Sequence, residues 1–249
     1  MNTAINLLSL IPMRKEPSHR SEMVSQLLFG EYAEILEEEE QFVRVKCLYD
    51  GYEGWIQVNQ LEIVETIILT QIYVSNWSEE ILVNGIHARI PMCSPVYLSG
   101  ELKLEYSSTD ENYYWHSAKM QLTKETLESV YQKFLNTPYL WGGKSTYGID
   151  CSGFVQQVFK LFGVKLLRDA YLQAEQGELI QSLDQAQLGD LAFFQNDKGR
   201  ITHVGIILEN NQIVHASGKV RIDILNENGI VNSHTGKRTH ELHFMRRYF

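Results

Sequence analysis

The sequence is poor in cysteine, with three residues in a chain of 249. Cys47, Cys93 and Cys151 are an odd number, and their spacing is not that of a metal site. A disulfide framework is therefore not expected, and a reducing compartment fits this cysteine usage best. Cys47 lies in an alternating strand pattern, which predicts that it packs in a hydrophobic core.

The N-terminal segment lacks the pattern of a signal peptide. Residues 1–17, MNTAINLLSLIPMRKEP, carry no positive charge ahead of a short apolar patch. That patch is too short for a membrane span, which needs about 20 apolar residues. We therefore expect a cytoplasmic protein. A chain whose leader had been removed would instead be periplasmic or secreted, and the sequence leaves that alternative open.

The chain also lacks an excess of positive charge. Its formal net charge is −9, its pI is about 5.4, and it has no basic stripe, so nucleic acid is not an expected partner. An acidic protein is also a poor passive binder of anionic cell-wall polymer. No phosphate-binding loop is expected, because the pair Gly142–Gly143 is explained by a tight turn.

What is present suits two or three small domains. Hydrophobic residues make up 44% of the chain, which is enough for real cores. Residues 1–62 show short strands separated by turns, which predicts a small all-β barrel. Residues 63–120 are again strand-like and predict a second, degenerate all-β domain, with the aromatic cluster 113–115 interpreted as core. Residues 121–249 begin with a helix capped by Thr123 and form the third domain.

The stretch Thr137–Phe159 in this third domain runs from a glycine-rich loop into a helix. Asp150 is a good N-cap residue, and Gly163 is suited to the C-terminal stop. Cys151 then occupies the first helical position, where the backbone N–H groups and the helix dipole favour a thiolate and an oxyanion. The alternative is a buried structural cysteine.

Two histidines downstream are candidates for the base that a cysteine nucleophile needs. His203 begins one predicted strand and His215 lies late in the next, with the turn Asn210–Asn211 between the strands. A two-residue loop would place the histidines on opposite faces, whereas an odd loop or a bulge would place them on one face. In the second case His215 would face Ile207, roughly 13 Å along the strand from His203.

The motifs D-C-S-G-F, G-D-L-x-F-F, H-V-G-I and I-V-H-A-S together resemble the NlpC/P60 family of papain-like cysteine peptidases, which cut peptidoglycan stem peptides. The resemblance covers roughly the last half of the chain. It implies Cys151 as the nucleophile, His203 as the general base and acid, and His215 as the group that orients the imidazole. It places Tyr139 near the oxyanion. It also implies that the substrate contacts Asp150, Ser152 and Trp141.

The N-terminal region resembles bacterial SH3-like (SH3b) domains in its S-Q-L-L-F-G-E and D-G-Y-E-G-W segments. The expected fold class is therefore α+β, with a papain-like catalytic domain of antiparallel sheet packed on helices, preceded by small all-β SH3-like barrels. The three expected domains are an SH3b domain (1–62), a degenerate SH3b-like domain (63–120) and the peptidase domain (121–249).

The segment L-R-D-A-Y-L-Q at 167–173 resembles the R-D-S segment of an NlpC/P60 subgroup that also carries SH3b domains. That subgroup hydrolyses the γ-D-glutamyl–diamino acid bond of small muropeptides with a free N-terminal L-alanine. The resemblance implies that Arg168 and Asp169 gather the substrate's amino end, although Ala170 replaces the serine. Glu22 and Tyr52 are the expected contacts from the SH3b domain.

The sequence thus predicts a monomeric cysteine endopeptidase in peptidoglycan recycling that needs neither metal nor cofactor. His240, like the other histidines of the C-terminal tail, is interpreted as a surface or packing residue. Two alternatives stay open, namely a secreted SH3b protein that binds or remodels the wall and a papain-like amidase or acyltransferase on another substrate. Diaminopimelate and lysine remain equally possible at the third stem position.

Overall fold

A computed structural model describes residues 3–97, 104–106, 114–116 and 120–249. The chain divides into two compact units: unit 1 comprises Met1–Met120 and Trp141–Tyr147, and unit 2 comprises Gln121–Leu140 and Gly148–Phe249. The side chains of the predicted aromatic cluster 113–115 lie outside the described residues. The division into three domains stays a prediction.

Unit 1 is built almost entirely from short antiparallel strands. Seven of its described strands form one sheet in the order β3-β2-β6-β5-β4-β1-β7, and shorter sheets β10-β9-β11 and β12-β8 follow. In chain order the strands of unit 1 are β1 (Thr3–Ile5), β2 (Leu10–Arg14), β3 (Met23–Leu28), β4 (Tyr32–Glu39), β5 (Phe42–Cys47), β6 (Glu53–Gln57), β7 (Glu62–Val64), β8 (Ile72–Val74), β9 (Ser78–Val83), β10 (Ile86–Pro91), β11 (Leu104–Tyr106), β12 (Tyr114–His116) and β13 (Lys144–Ser145).

The seven-stranded sheet encloses its core because apolar residues alternate along its strands. On β5, Val43, Val45 and Cys47 point inward and are buried, and on β2 the same holds for Ile11 and Met13. The predicted core position of Cys47 is therefore confirmed. All three cysteines lie in the described residues and are free thiols.

The segment Trp141–Tyr147 packs in unit 1, although it lies only a few residues before Cys151. Gly142 has φ +76°, and a Cβ there would stand 2.5 Å from the carbonyl oxygen of Met23, so the turn requires glycine. Lys144 Nζ lies 3.2 Å from Glu31 Oε2 in a pair whose side chains are 1% and 2% exposed. The loop before the nucleophile is thus fixed by a buried ion pair.

Unit 2 contains three α-helices among the described residues: α1 (Lys124–Tyr131), α2 (Cys151–Leu161) and α3 (Ala170–Gln173). Thr123 caps α1, as predicted, because its hydroxyl accepts from the Thr126 backbone N–H. Every residue of α2 is buried. Short 3-10 turns occupy Val58–Gln60 in unit 1 and Gln132–Phe134 and Leu183–Gln185 in unit 2.

The sheet of unit 2 is antiparallel and closes on itself. Its order is β15-β21-β16-β17-β18-β19-β20, and the additional pairing of β21 with β20 completes the closure. The strands of unit 2 are β14 (Gly148–Ile149), β15 (Glu178–Ile180), β16 (Leu191–Gln195), β17 (Ile201–Leu208), β18 (Gln212–Ser217), β19 (Lys219–Asn226), β20 (Gly229–Val231) and β21 (Arg238–Arg247). Helix α2 packs on β17 and β18. This contact brings the helix N-terminus to the strands that carry the two histidines.

In the part of the chain that the structure describes, no helix is both long enough and apolar enough to cross a membrane.

Candidate active site

Cys151 is the first residue of α2, as the capping pattern predicts. Asp150 is extended at the N-cap, and its Oδ1 accepts from the Gly153 backbone N–H at 2.7 Å. Gly163 ends the helix with φ +76°, the left-handed conformation that suits glycine at this position. Cys151 Sγ lies 3.9 Å from the carbonyl oxygen of Thr202 on β17, and the residue is 6% exposed.

A buried arginine holds the capping carboxylate in place. Arg168 donates from Nη1 to Asp150 Oδ1 at 3.0 Å and from Nη2 to Asp150 Oδ2 at 2.6 Å. The same Nη1 donates to Ser152 Oγ at 3.0 Å, and the Arg168 side chain is 1% exposed. Arg168, Asp150 and Ser152 therefore form one hydrogen-bonded group around the first turn of α2. Bidentate pairing of this kind is the strongest form of arginine–carboxylate contact.

Burial sets the protonation state of the cysteine, contrary to the expectation from the helix N-terminus. Removal from water, together with the neighbouring Asp150 charge, raises the pKa of Cys151 to about 12. The backbone N–H groups of Val204 and Ser152 and the Arg168 charge act in the opposite direction but do not outweigh burial. The prediction of a lowered pKa is therefore wrong for the free protein, in which Cys151 is a thiol at neutral pH.

The two histidines lie on one face of the β17–β18 hairpin. Leu208 pairs with Gln212 and Gly205 pairs with His215, so the loop between the strands has an odd number of residues. His203 is two residues from Gly205 and shares its face. The predicted pairing of His215 with Ile207 is wrong, and so is the predicted 13 Å separation. His203 Nε2 and His215 Nδ1 are 2.8 Å apart.

Gly205 allows this diagonal contact. It stands directly opposite His215, and a Cβ at this position would lie 2.9 Å from His215 Cβ and 2.8 Å from Ile213 Cδ1. No side chain therefore separates the two imidazoles across the hairpin. A glycine inside a strand often marks such a close approach.

Asp223 extends the histidine pair to a third strand, and the sequence analysis missed it. His215 pairs with Arg221 on β19, which places Asp223 diagonally on the same face. His215 Nε2 and Asp223 Oδ2 are 3.1 Å apart. The available signal was an aspartate between two isoleucines in a strand pattern, eight residues after His215, but its partner depends on strand pairing.

The surroundings of Asp223 keep it ionised. Burial opposes ionisation, but hydrogen bonds from His215, from Ser233 and from Arg221 outweigh burial and lower the pKa of Asp223 far below its usual range. An ionised carboxylate can only accept, so His215 donates from Nε2. When His215 carries only this proton, its Nδ1 accepts from His203 Nε2–H, and the lone pair of His203 lies on Nδ1. This lone pair can act as a base.

His240 lies against this relay and is not a residue of the free surface. It is half-buried on β21, and its ring stacks on His203 with centroids 4.1 Å apart and an interplanar angle of 21°. Burial lowers the pKa of His203 well below its ordinary value, and the neighbouring His215 and His240 add to this effect. His203 is therefore neutral at pH 7. Packing was one of the two interpretations of His240, but its partner was not predictable, because the pairing of β21 with β16 brings residues together that are distant in sequence.

Tyr139 belongs to the surroundings of Cys151 and Asp150. Its backbone N–H donates to the Gly218 carbonyl at 3.0 Å. Burial, and then the nearby Cys151 and Asp150, raise the pKa of Tyr139. The phenol is therefore protonated at neutral pH and able to donate a hydrogen bond.

Asp169 stands at the N-cap position of α3, as predicted, but its side chain makes no capping hydrogen bond there. Asp169 is half-buried and accepts a hydrogen bond from the Tyr171 hydroxyl. The pKa of Tyr171 is raised, mainly by burial and then by the charge of Asp169 and this hydrogen bond. Ala170, which replaces the serine of the motif, is 8% exposed. The carboxylate of Asp169 is thus not used to cap the helix.

The remaining predicted contacts, Glu22, Tyr52 and Trp141, belong to unit 1. The Trp141 indole N–H donates to Glu22 Oε1 at 2.8 Å, and Trp141 is 60% exposed. Tyr52 packs at the edge of the barrel core, and its backbone N–H donates to Asp50 Oδ1 at 3.0 Å. Their contact with a substrate stays a prediction.

Comparison with known proteins gives matches over both regions of the chain. Residues 136–239 match the NlpC/P60 family, and residues 13–61 match the bacterial dipeptidyl-peptidase Sh3 domain. The gamma-D-glutamyl-L-lysine dipeptidyl-peptidase of Bacillus subtilis (strain 168) is 31% identical over 77% of this chain and 71% of its own length. The dipeptidyl-peptidase 6 of Lysinibacillus sphaericus is 28% identical over 90% of this chain and 92% of its own length.

A crystal structure of an NlpC/P60 family protein from Bacillus cereus superposes with a TM-score of 0.80 at 19% identity, covering 99% of both chains. This likeness extends over both units and concerns the fold. With the domain matches, it confirms the predicted fold class.

Proposed function

Because the chain belongs to the NlpC/P60 family of cysteine peptidases, a family of peptidoglycan hydrolases, we propose that it cleaves the γ-D-glutamyl–diamino acid bond of small muropeptides with a free N-terminal L-alanine. The names of two relatives that cover most of the chain support this substrate class, since both are called gamma-D-glutamyl-L-lysine dipeptidyl-peptidases. The single structural observation that carries the proposal is the relay from Asp223 through His215 to His203 beside the helix that begins at Cys151.

In the proposed reaction, His203 Nδ1 takes the thiol proton of Cys151 as the sulfur attacks the γ-carbonyl of D-glutamate. Since burial keeps the resting cysteine protonated, proton transfer accompanies attack and does not precede it. His203 then returns the proton to the departing amine of the diamino acid. Water, activated by the same imidazole, hydrolyses the thioester and releases the dipeptide.

We assign two groups to stabilisation of the oxyanion of the tetrahedral intermediate. Cys151 lies at the N-terminus of α2, where backbone N–H groups point away from the helix and the dipole favours negative charge. Tyr139 is protonated and can donate from its hydroxyl. We assign Tyr139 to the oxyanion and His215 to the orientation of His203, as the family resemblance implies.

Arg168 and Asp169, adjacent in sequence, take different roles in this proposal. Arg168 is a positioning residue, because its guanidinium is buried and bound to Asp150 and Ser152. Asp169 is the ligand of the substrate's ammonium group in this proposal, because the family resemblance gives that role to this segment and the residue is only half-buried. A blocked amino terminus would remove the cation that this carboxylate binds in the proposed complex, which disfavours longer or acylated peptides. Asp150 and Ser152 remain the proposed substrate contacts at the first turn of α2.

We propose that this activity serves the recycling of small wall fragments inside the cell. A free amino group on the N-terminal L-alanine arises only after the wall has been dismantled. The acidic chain supports a small soluble substrate over the anionic wall polymer.

Mass spectrometry after incubation with L-Ala-γ-D-Glu-L-Lys and with the diaminopimelate tripeptide tests the function. We expect one cut that releases L-Ala-γ-D-Glu, none in the Cys151→Ala variant, and none when the alanine is N-acetylated. Asp169→Ala should raise KM for the free-amine peptide, whereas the exposed control Asp197→Ala should leave KM unchanged.

Equal cleavage of the acetylated peptide would contradict the ammonium site while leaving the peptidase intact. Binding to purified sacculi without any cleavage would instead favour the wall-binding alternative. Cleavage of an unrelated amide with no action on either tripeptide would favour the amidase alternative.

A further inference from the structure

Three imidazoles meet in unit 2 beside the nucleophile. The ligand nitrogens of His203, His215 and His240 all lie within 4.8 Å of one another. The catalytic relay uses two of these residues, but nothing in the proposed peptidase reaction uses the third. His240 comes from β21, and its ring is stacked on His203. Three imidazoles at this spacing are the donor set of a familiar type of zinc site, in which water completes the coordination.

Hydrogen bonds around the cluster already direct lone pairs toward its centre. Asp223 holds His215 Nε2–H, which leaves the Nδ1 lone pair of His215 facing His203. This is the carboxylate–histidine arrangement that orients metal ligands in proteins. His240 Nδ1 lies 2.9 Å from Thr239 Oγ1. When Nδ1 carries the proton, it donates a hydrogen bond to the Thr239 hydroxyl, and the lone pair of His240 lies on Nε2. Two of the three imidazoles thus have an oxygen partner on the nitrogen that would not bind metal.

We propose that a divalent transition-metal ion of imidazole preference, Zn²⁺ above all, binds His203, His215 and His240 and thereby inhibits the peptidase. The metal takes the place of the proton between His203 Nε2 and His215 Nδ1. It does not need the sulfur of Cys151 as a ligand. The binding is independent of the proposed substrate, whereas the inhibition rests on the proposed peptidase function.

The required movement is small. Two nitrogens on one tetrahedral zinc stand about 3.3 Å apart, given Zn–N bonds of about 2.0–2.1 Å. The His203–His215 pair would therefore open slightly from its 2.8 Å separation. His240 would tilt out of its parallel stack to bring its nitrogen to the same centre.

Inhibition follows from the tautomer of His203. When Nε2 binds the metal, neutral His203 carries its proton on Nδ1, the nitrogen that would otherwise act as the base. The proton moves from one ring nitrogen to the other, so this step releases no proton to solvent and changes no oxidation state. His203 can then no longer accept the thiol proton, although Cys151 itself is chemically unchanged.

Equilibrium binding of Zn²⁺ to the full chain, measured by calorimetry, tests the site independently of activity. We expect Cys151→Ala to bind Zn²⁺ as the wild type does. We expect His240→Phe, which keeps a flat ring against His203, to bind at least about tenfold more weakly, since even changes of outer partners cost 10–100-fold in metal affinity. His234→Phe is the matched control, because His234 is an exposed histidine outside the cluster, and it should bind like the wild type.

Activity on the tripeptide gives the second measurement, with each variant normalised to its own rate without metal. Zn²⁺ should inhibit the wild type reversibly, with recovery on chelation, and His240→Phe should need at least about tenfold more metal. Thermal denaturation checks that each variant is folded, and His240→Asn serves as a second variant if His240→Phe is not. Equal binding by wild type and His240→Phe overturns the site, and so does loss of binding in Cys151→Ala, which would place the metal on the sulfur. Binding without inhibition overturns the tautomer argument alone.

Discussion

Two of the arginine-paired aspartates of unit 2 belong to the candidate active site, one beside the nucleophile and one at the end of the histidine relay. Asp150 is bound by Arg168, and Asp223 is bound by Arg221. The difference lies in the third partner. Asp150 accepts a backbone N–H of α2, whereas Asp223 accepts from a histidine ring.

This difference separates two ways in which a carboxylate supports a reaction. Asp150 fixes the position of a helix end, so its loss should act first on stability and geometry. Asp223 fixes which nitrogen of His215, and hence of His203, carries a proton, so its loss should act first on the chemical step. The substitutions below test this separation.

Asp223→Asn should give the largest effect on activity. An amide N–H facing His215 Nε2 reverses the tautomer of both histidines and places a proton on His203 Nδ1. In a serine protease the equivalent error lowers kcat about 10⁴-fold. Here His215 lies between the aspartate and the base, so the wrong tautomer is imposed on His203 indirectly. We therefore expect kcat to fall about 10³-fold with KM little changed, measured by steady-state kinetics on the tripeptide.

Asp190→Asn is the matched control, because Asp190 is also buried and paired with an arginine, Arg247, at 2.7 Å. It should lose stability but keep kcat within a few-fold. A similar fall in kcat for both variants would show that Asp223 acts only through general stability.

Arg168→Met should give the largest effect on stability and a smaller effect on activity. Removing one partner of a buried ion pair costs about 3–5 kcal/mol, because the positive charge that balances Asp150 is lost. Displacement of the helix end would then lower kcat/KM by up to about 10²-fold. Urea unfolding and kinetics measure the two quantities.

Arg221→Met should cost less, roughly 1–3 kcal/mol, since Asp223 keeps its bonds from Ser233 and His215. An equal loss of stability in both arginine variants would remove the contrast between the two carboxylates.

Gly205→Ala should disturb the relay without touching either aspartate. The added methyl group meets His215 Cβ at 2.9 Å, so the His203–His215 contact must lengthen. We expect kcat to fall about tenfold, which corresponds to the loss of about one hydrogen bond. Gly54→Ala, a strand glycine of unit 1 whose Cβ would lie 3.2 Å from the Arg14 carbonyl and Met13 Cβ, is the control and should leave kcat unchanged.

The pH dependence of alkylation by iodoacetamide tests the protonation state at the nucleophile end. The raised pKa of Cys151 means that the thiol form persists at neutral pH and that thiolate increases with pH. The reaction rate of the free protein should therefore still be rising at about pH 10, above the ordinary thiol pKa of about 8.5. A plateau below pH 8 would show a preformed thiolate, and Cys151→Ala measures the background from other cysteines.

The sequence correctly predicted features that depend on neighbouring residues. The cap at Asp150, the stop at Gly163 and the helix between them follow from local hydrogen bonding and backbone conformation. The hairpin containing His203 and His215 was predicted as well, but its pairing was not. An odd number of loop residues, with Asn210 and Asn211 both at φ +57°, set a register that the dipeptide alone left open.

Local pattern therefore determined the nucleophile helix, the strands and the family, because caps, periodicity and motif residues act over a few positions along the chain. Tertiary structure alone decided the proton positions. Asp223 reaches His215, His240 covers His203 and burial protonates Cys151 only after strands far apart in sequence have paired. Electrostatic energies depend on distance through space and on exclusion of water, neither of which is written in the order of the residues.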